Sequence, residues 1–214
     1  MLIAQAPGEQ EDEQGRMFVG PSGRVLDELL QAAGLKRSAL YLTNLVKCRL
    51  PRNRRPRSDE VQACGKHLER EIQLVRPRAL IPLGYHATRY VLGRAGIPAP
   101  SRREFHRACG RLIWTGTLKV LPLPHPALLL RRPELRPEVT AQYRILGTLA
   151  VDCRWYPVCP MRRAYEAGML ERRWVELYCW GNWRECRRYQ MEERGEPHPD
   201  WMLPDGSLEE SLRR

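Results

Sequence analysis

The residues capable of chemistry fall into three polar loops and a cysteine-dense tail. "AQAPGEQED", starting at Ala4, sets a proline–glycine turn against the carboxylates Glu9, Glu11 and Asp12. "TNLVKCRLPRNRRPR" puts Asn44 ahead of six cations: Lys47, Arg49, Arg52, Arg54, Arg55 and Arg57. "LPLPHPALLLRRP" carries His125 at the end of an apolar run, followed by Leu128, Leu129, Leu130, Arg131 and Arg132. Taken singly, the first is a solvated acidic loop and the second a solvated basic one. In a chain of net charge +11 the basic loop also makes a phosphate-binding edge. A histidine at a strand end is as readily structural as catalytic.

The seven cysteines define a second kind of chemistry. Cys153 and Cys159 form a Cys-x5-Cys pair, and Cys179 and Cys186 a Cys-x6-Cys pair. In a chain read as cytoplasmic, such density points to metal ligation and not to disulfides, although these spacings match no standard zinc finger. Cys48 and Cys64 stand sixteen apart and suit small core positions, Cys64 lying on an apolar helical stripe. Cys109 reads as a bystander.

Alternating strands and helices must position these loops. Met1 to Ala4 reads as a short buried strand. Val25, Leu26, Leu29, Leu30 and Ala33 share one face of a helix capped by Ser22 and stopped at Gly34. A second strand ends near Thr43 and Asn44. Ser58 caps a helix striped by Val61, Cys64, Leu68, Ile72 and Val75. A third strand, residues 78–84, runs into a helix through about Leu92. Two further strands flank a turn at Thr115 to Thr117, and a closing helix runs from Arg136 to Val151. This order predicts an α/β fold: three α/β/α layers around a mainly parallel sheet, with ligands beyond the carboxyl ends of its strands. Residues 1–150 form that domain, and residues 151–214 a small helical cysteine-rich module. The module holds five of the six tryptophans, which read as cover for its core. Hydrophobic residues make up 43% of the 214, so the chain can bury a sizeable core. The positive charge favours a nucleic-acid partner over a membrane. No apolar run approaches membrane-spanning length.

Together and in order, "APGEQED…GRMFVGPSG", "YLTNLVKCRLPRNRRP", "LIPLG" and "HPALLLRRP" resemble the uracil-DNA glycosylase superfamily, nearest its family 4. The resemblance covers residues 2 to 146 and implies excision of uracil from DNA by a monofunctional, monomeric repair enzyme. It implies that the backbone of Gln5, Ala6, Pro7 and Gly8 lines a pocket for a flipped base. Phe18 stacks on that base and Asn44 reads its edge. His125 faces the carbonyl oxygen where negative charge develops. Leu128 to Leu130 wedge into the base stack, while Lys47, Arg49, Arg52, Arg54, Arg55, Arg131 and Arg132 meet phosphates.

Two departures qualify the match. The first family motif reads Gly-Glu-Ala-Pro-Gly, whereas here Gln5 replaces the glutamate. Glutamine cannot take a proton from water, so catalysis is expected from His125, Gln5 and Asn44 with little base assistance. The competing reading is a weak or inactive damage-sensing protein that keeps the pocket. Family-4 enzymes also hold an iron–sulfur (4Fe–4S) cluster on four cysteines, two of them ahead of the first strand. That pair is absent here, leaving Cys48 and Cys64. Cys153, Cys159, Cys179 and Cys186 therefore either hold their own cluster, or zinc, or lend two thiolates to Cys48 and Cys64.

Overall fold

The first apolar residues, Leu2–Ala4 (β1), form an interior strand of the sheet, and both flanking strands present matching buried runs. β1 pairs in parallel with β2 (Leu42–Asn44), Ala4 opposite Asn44, and with β3 (Ala79–Pro82), Leu2 opposite Ile81. Two short strands, β4 (Ile113–Trp114) and β5 (Lys119–Val120), complete the order β2-β1-β3-β5-β4. The structure, a computed structural model, describes residues 1–213. The sheet is mostly parallel with helices on both sides, as expected for an α/β fold.

Three helix starts differ from the sequence reading. The acidic loop is itself helical: α1 spans Glu9–Gln14, with Glu9, Glu11 and Asp12 in its first turn, where the helix dipole favours carboxylates. Helix α2 (Pro21–Ala32) begins ahead of Ser22, with Gly20 as its cap, because Pro21 is pre-set for a first helical position. Helix α3 (Ser58–Val75) is capped at Arg57, whose backbone N–H donates to Glu60 at 2.8 Å. On α3 the buried stripe is Gly65, Leu68 and Ile72, while Val75 is exposed. Gly65 takes an interior place because Tyr90 of α4 (Tyr85–Arg94) lies where a Cβ would stand.

The chain divides into two compact units. The first, residues 1–111 and 120–144, buries Leu2, Ile3, Leu26, Leu29, Leu68, Leu80 and Leu121. The second comprises residues 145–213 together with the hairpin residues 112–119, so the module recruits a segment from within the α/β sequence. Its helices are α8 (Pro160–Glu166), α9 (Arg172–Trp174), a π-helical turn Val175–Cys179, and α10 (Arg187–Arg194). Met161, Leu170, Val175, Cys179 and Leu203 form its core, with Trp174 and Trp180 packed against them. Lys119, nearly enclosed, pairs with Glu176 at 3.2 Å and donates to the Trp180 carbonyl at 2.6 Å. No helix among the described residues is long and apolar enough to cross a membrane.

Candidate active site

In a parallel sheet the carboxyl ends of the strands share one edge, and four of them open here into a single cavity of about 430 Å³. β1 delivers Gln5 to Gly8, β2 delivers Asn44, β3 leads to Gly84 and Tyr85, and the segment after β5 delivers His125. All lie in the first unit. The cavity is the size of a small-molecule site.

Asn44 is only 5% exposed. Its Nδ2 donates to the Met17 sulfur at 3.0 Å, and its Oδ1 is buried with no hydrogen-bond partner. A buried acceptor left unpaired costs about 1–3 kcal/mol, so this amide is arranged for a ligand that donates. The strand ladder fixes its backbone, since Leu45 N–H donates to the Ala4 carbonyl at 2.8 Å.

Phe18 is buried in the cavity wall with φ of 53°, a left-handed conformation that costs a non-glycine residue about 1 kcal/mol or more. Arg37 Nη2 secures it by donating to the Phe18 carbonyl at 2.6 Å. Gly23 of α2 makes the bend possible: a Cβ there would sit 1.8 Å from the Phe18 carbonyl oxygen. The Phe18 ring stands 5.8 Å from the His125 ring, at 29°.

His125 is held by its neighbours in one protonation state. Burial at the cavity wall, and then the Arg131 cation, push its pKa down to about 4, with Glu11 opposing weakly. It is therefore neutral near pH 7. The Ala127 N–H donates to His125 Nδ1 at 3.2 Å, which places the proton on Nε2 and leaves that N–H as a donor. Tyr143, fully buried on α7 (Arg136–Leu149), donates to the Pro124 carbonyl at 2.8 Å and pins the residue before His125. Gly84, at φ of 86°, lets the chain turn from β3 into α4 beside His125.

Gln5 lines the cavity, its Nε2 3.4 Å from the Arg54 carbonyl oxygen. Glu11 is the one carboxylate among the described lining residues, and it accepts from the Gly20 N–H at 3.0 Å. Sequence reasoning missed Asn53, Tyr85, His86 and Arg102, which also line the cavity. His86 Nε2 is buried without a partner, and its pKa is lowered by burial and then by Arg102. Its one visible signal is its place just beyond the glycine that ends "LIPLG".

The basic loop is less free than its composition. Lys47 is bound to Glu71 and Thr43, each at 2.8 Å, Arg49 to Glu9 at 2.6 Å, and Arg54 to Glu60. Arg52 and Arg55 are exposed. Arg131 lines the cavity, and Arg132 pairs with Glu134 at 2.9 Å. On α6 (Leu128–Arg131), Leu129 is 3% exposed and turned into the core, whereas Leu130 is 50% exposed. Leu129 is therefore removed from the expected DNA contacts, because a fully packed side chain cannot reach a base stack.

Cys48 is exposed and Cys64 half-buried, both in the first unit. Cys153, Cys159, Cys179 and Cys186 line one separate cavity of about 60 Å³ in the second unit.

Residues 1–145 match the family model of the uracil DNA glycosylase superfamily. The type-4 uracil-DNA glycosylase of Sulfurisphaera tokodaii is 35% identical, covering 74% of this chain and 73% of that protein. The type-4 enzyme of Archaeoglobus fulgidus is 35% identical over 70% of this chain and 75% of its own length. The type-4 enzyme of Pyrobaculum aerophilum is 38% identical over 64% and 71%. With the match spanning most of the chain and the cavity lying within it, this chain belongs to the uracil-DNA glycosylase superfamily.

Proposed function

We infer that the chain is a monofunctional DNA repair glycosylase that hydrolyses the N-glycosidic bond of uracil in DNA and releases the free base. The observation that carries the reading is the pairing, in one cavity, of an unpartnered Asn44 Oδ1 with a neutral His125 whose free N–H is on Nε2. Uracil supplies the complement: its N3–H donates to Oδ1, and its O4 accepts from the remaining Nδ2 hydrogen. The base must leave the stack to arrive there, at a cost of a few kcal/mol. Leu128 and the exposed Leu130 fill the gap it leaves, and Arg52, Arg55 and Arg131 hold flanking phosphates. Phe18 stacks on the flipped ring.

As the bond breaks, negative charge grows on uracil O2, where the His125 Nε2–H stabilises it without giving up its proton. A cationic imidazole is unnecessary, and burial keeps it from forming. Water is held by Gln5 and backbone groups. Glu11 contributes negative charge near the electron-poor sugar, offsetting part of what the missing motif glutamate would supply. No lysine is among the residues lining the cavity, in keeping with hydrolysis and not Schiff-base chemistry. Every residue lining the cavity comes from the first unit, so the pocket is complete within it. The cytoplasm, where DNA is repaired, is the proposed location.

Of the cysteines in the first unit, Cys48, which is exposed, and Cys64, which is half-buried, stand at positions of the family's four-cysteine cluster. The roles given above belong to the residues of the cavity itself.

The test is a gel assay on uracil-containing single- and double-stranded oligonucleotides with wild type, Gln5→Glu and an Asn44→Ala/His125→Ala double variant. Wild type should form abasic sites, and the double variant should bind DNA without cleaving. An inactive wild type with activity restored by Gln5→Glu would show that Gln5 is incompatible with catalysis.

A further inference from the structure

We propose that Cys153, Cys159, Cys179 and Cys186 form an iron–sulfur cluster site contained wholly within the second unit. The four residues come from two distant pairs in sequence, yet all line one small cavity, and three of them are buried. Chain geometry enforces the convergence: the Cys153 N–H donates to the Cys179 carbonyl at 2.7 Å, joining the first pair to the second.

The space among the thiols decides between one ion and a cluster. A zinc ion bonds four sulfurs at about 2.3 Å, which would draw them into mutual contact with no room between them. The cavity that all four cysteines line measures about 60 Å³, room for several atoms. A polynuclear centre uses the same four ligands and fills the space.

Charge gives an independent argument. Arg188 is 2% exposed and lines this cavity. Its Nη1 donates to the carbonyls of Pro199, Asp200 and Met202 at 2.8, 3.2 and 2.9 Å. Its Nε is buried with no hydrogen-bond partner, and no carboxylate among the described residues pairs with the guanidinium. An uncompensated buried cation is expensive. A cluster on four thiolates carries net negative charge and supplies the missing counter-charge. Backbone N–H groups of Trp155 and Tyr156 are directed at the Cys153 sulfur, and those of Tyr189 and Arg188 at the sulfur of Cys186, which caps α10. Such N–H groups directed at ligand sulfurs tune clusters. Trp155, Tyr156, Tyr178 and Trp183 line the same cavity and limit water. Ligation replaces four thiol protons with iron, so loading releases protons.

The full-length chain, purified anaerobically, should be brown, with iron and acid-labile sulfide in equal amounts. Cys179→Ser and Cys186→Ser should each lose the iron, while a Cys48→Ser/Cys64→Ser double variant keeps it. X-ray absorption at the iron edge of the wild type needs no variant to fold, and should give sulfur-only ligation with an iron–iron vector. Zinc in place of iron, a metal-free wild type, or iron that survives Cys179→Ser and leaves with Cys48 and Cys64 would each overturn the proposal.

Discussion

Replacing Asn44 by alanine should move stability and activity in opposite directions. In the free protein the Oδ1 is buried and unpaired, a burden of about 1–3 kcal/mol. The amide's one contact, Nδ2 to the Met17 sulfur at 3.0 Å, offsets less than about 1 kcal/mol because thioether sulfur is a weak acceptor. The side chain borders an open cavity, so truncation leaves no sealed void to penalise. Asn44→Ala should therefore be neutral or stabilising by up to about 2 kcal/mol, raising the melting temperature by roughly 0–6 °C. Activity should fall about 10²–10³-fold in kcat/KM on a uracil-containing oligonucleotide, the usual loss when a preorganised polar contact to the reacting group is removed. Thermal melts and single-turnover kinetics on one preparation measure both. A melting temperature lowered by more than a few degrees would refute the reasoning, since Asn44 would then be a structural residue whose acceptor is already satisfied.

The acid limb of the pH–rate profile should lie near pH 4 and not near 6.5, because His125 acts as the neutral form and its pKa is depressed to about 4. The same depression makes His125 a stabilising group above its unfolded pKa of about 6.5, with that stability lost as pH falls toward 4. Arg131→Ala should raise the limb only slightly, since burial is the larger cause; a limb unmoved in His125→Gln would exclude His125 as its source. Gly23→Ala forces the Phe18 carbonyl away from a position 1.8 Å from the new Cβ, and should cost about 1–3 kcal/mol in a denaturant melt together with most of the activity. Arg52→Ala and Arg55→Ala should each lower the slope of log affinity against log salt by about 1. Lys47→Ala should leave that slope unchanged and cost about 1 kcal/mol of stability, its charge being engaged by Glu71; filter binding across a salt series separates the two groups.

Much of the first unit is legible in the residues alone. A buried run at Leu2 to Ala4, repeated at β2 and β3 and separated by striped helices, admits few arrangements besides a parallel sheet, and in such a sheet function gathers at the carboxyl ends. That reasoning reaches Gln5, Asn44 and His125 because each ends or directly follows an apolar run. It fails where function depends on what a side chain meets. Lys47 and Arg55 look alike in sequence, yet Lys47 bonds Glu71, 24 positions away, and Arg55 stays exposed. Leu129 and Leu130 differ only by the rotation of one short helix, which buries the first and exposes the second. Helix α1 was hidden because six polar residues carry no apolar period, and their acids are explained only once they stand at a helix start.

The residues alone give the inventory and order of the parts: which strand ends carry an amide and an imidazole, which loop carries an aromatic ring, and that four cysteines crowd the tail. Their state is set only on folding. Local periodicity cannot report that Asn44 Oδ1 lacks a partner, that Ala127 directs the His125 proton to Nε2, or that the hairpin 112–119 belongs with the tail. Nor can spacing report that the four tail cysteines line one cavity beside Arg188, whose Nε has no partner. Burial, hydrogen-bond satisfaction and protonation are set by atoms distant in the chain, and those meet only when it folds.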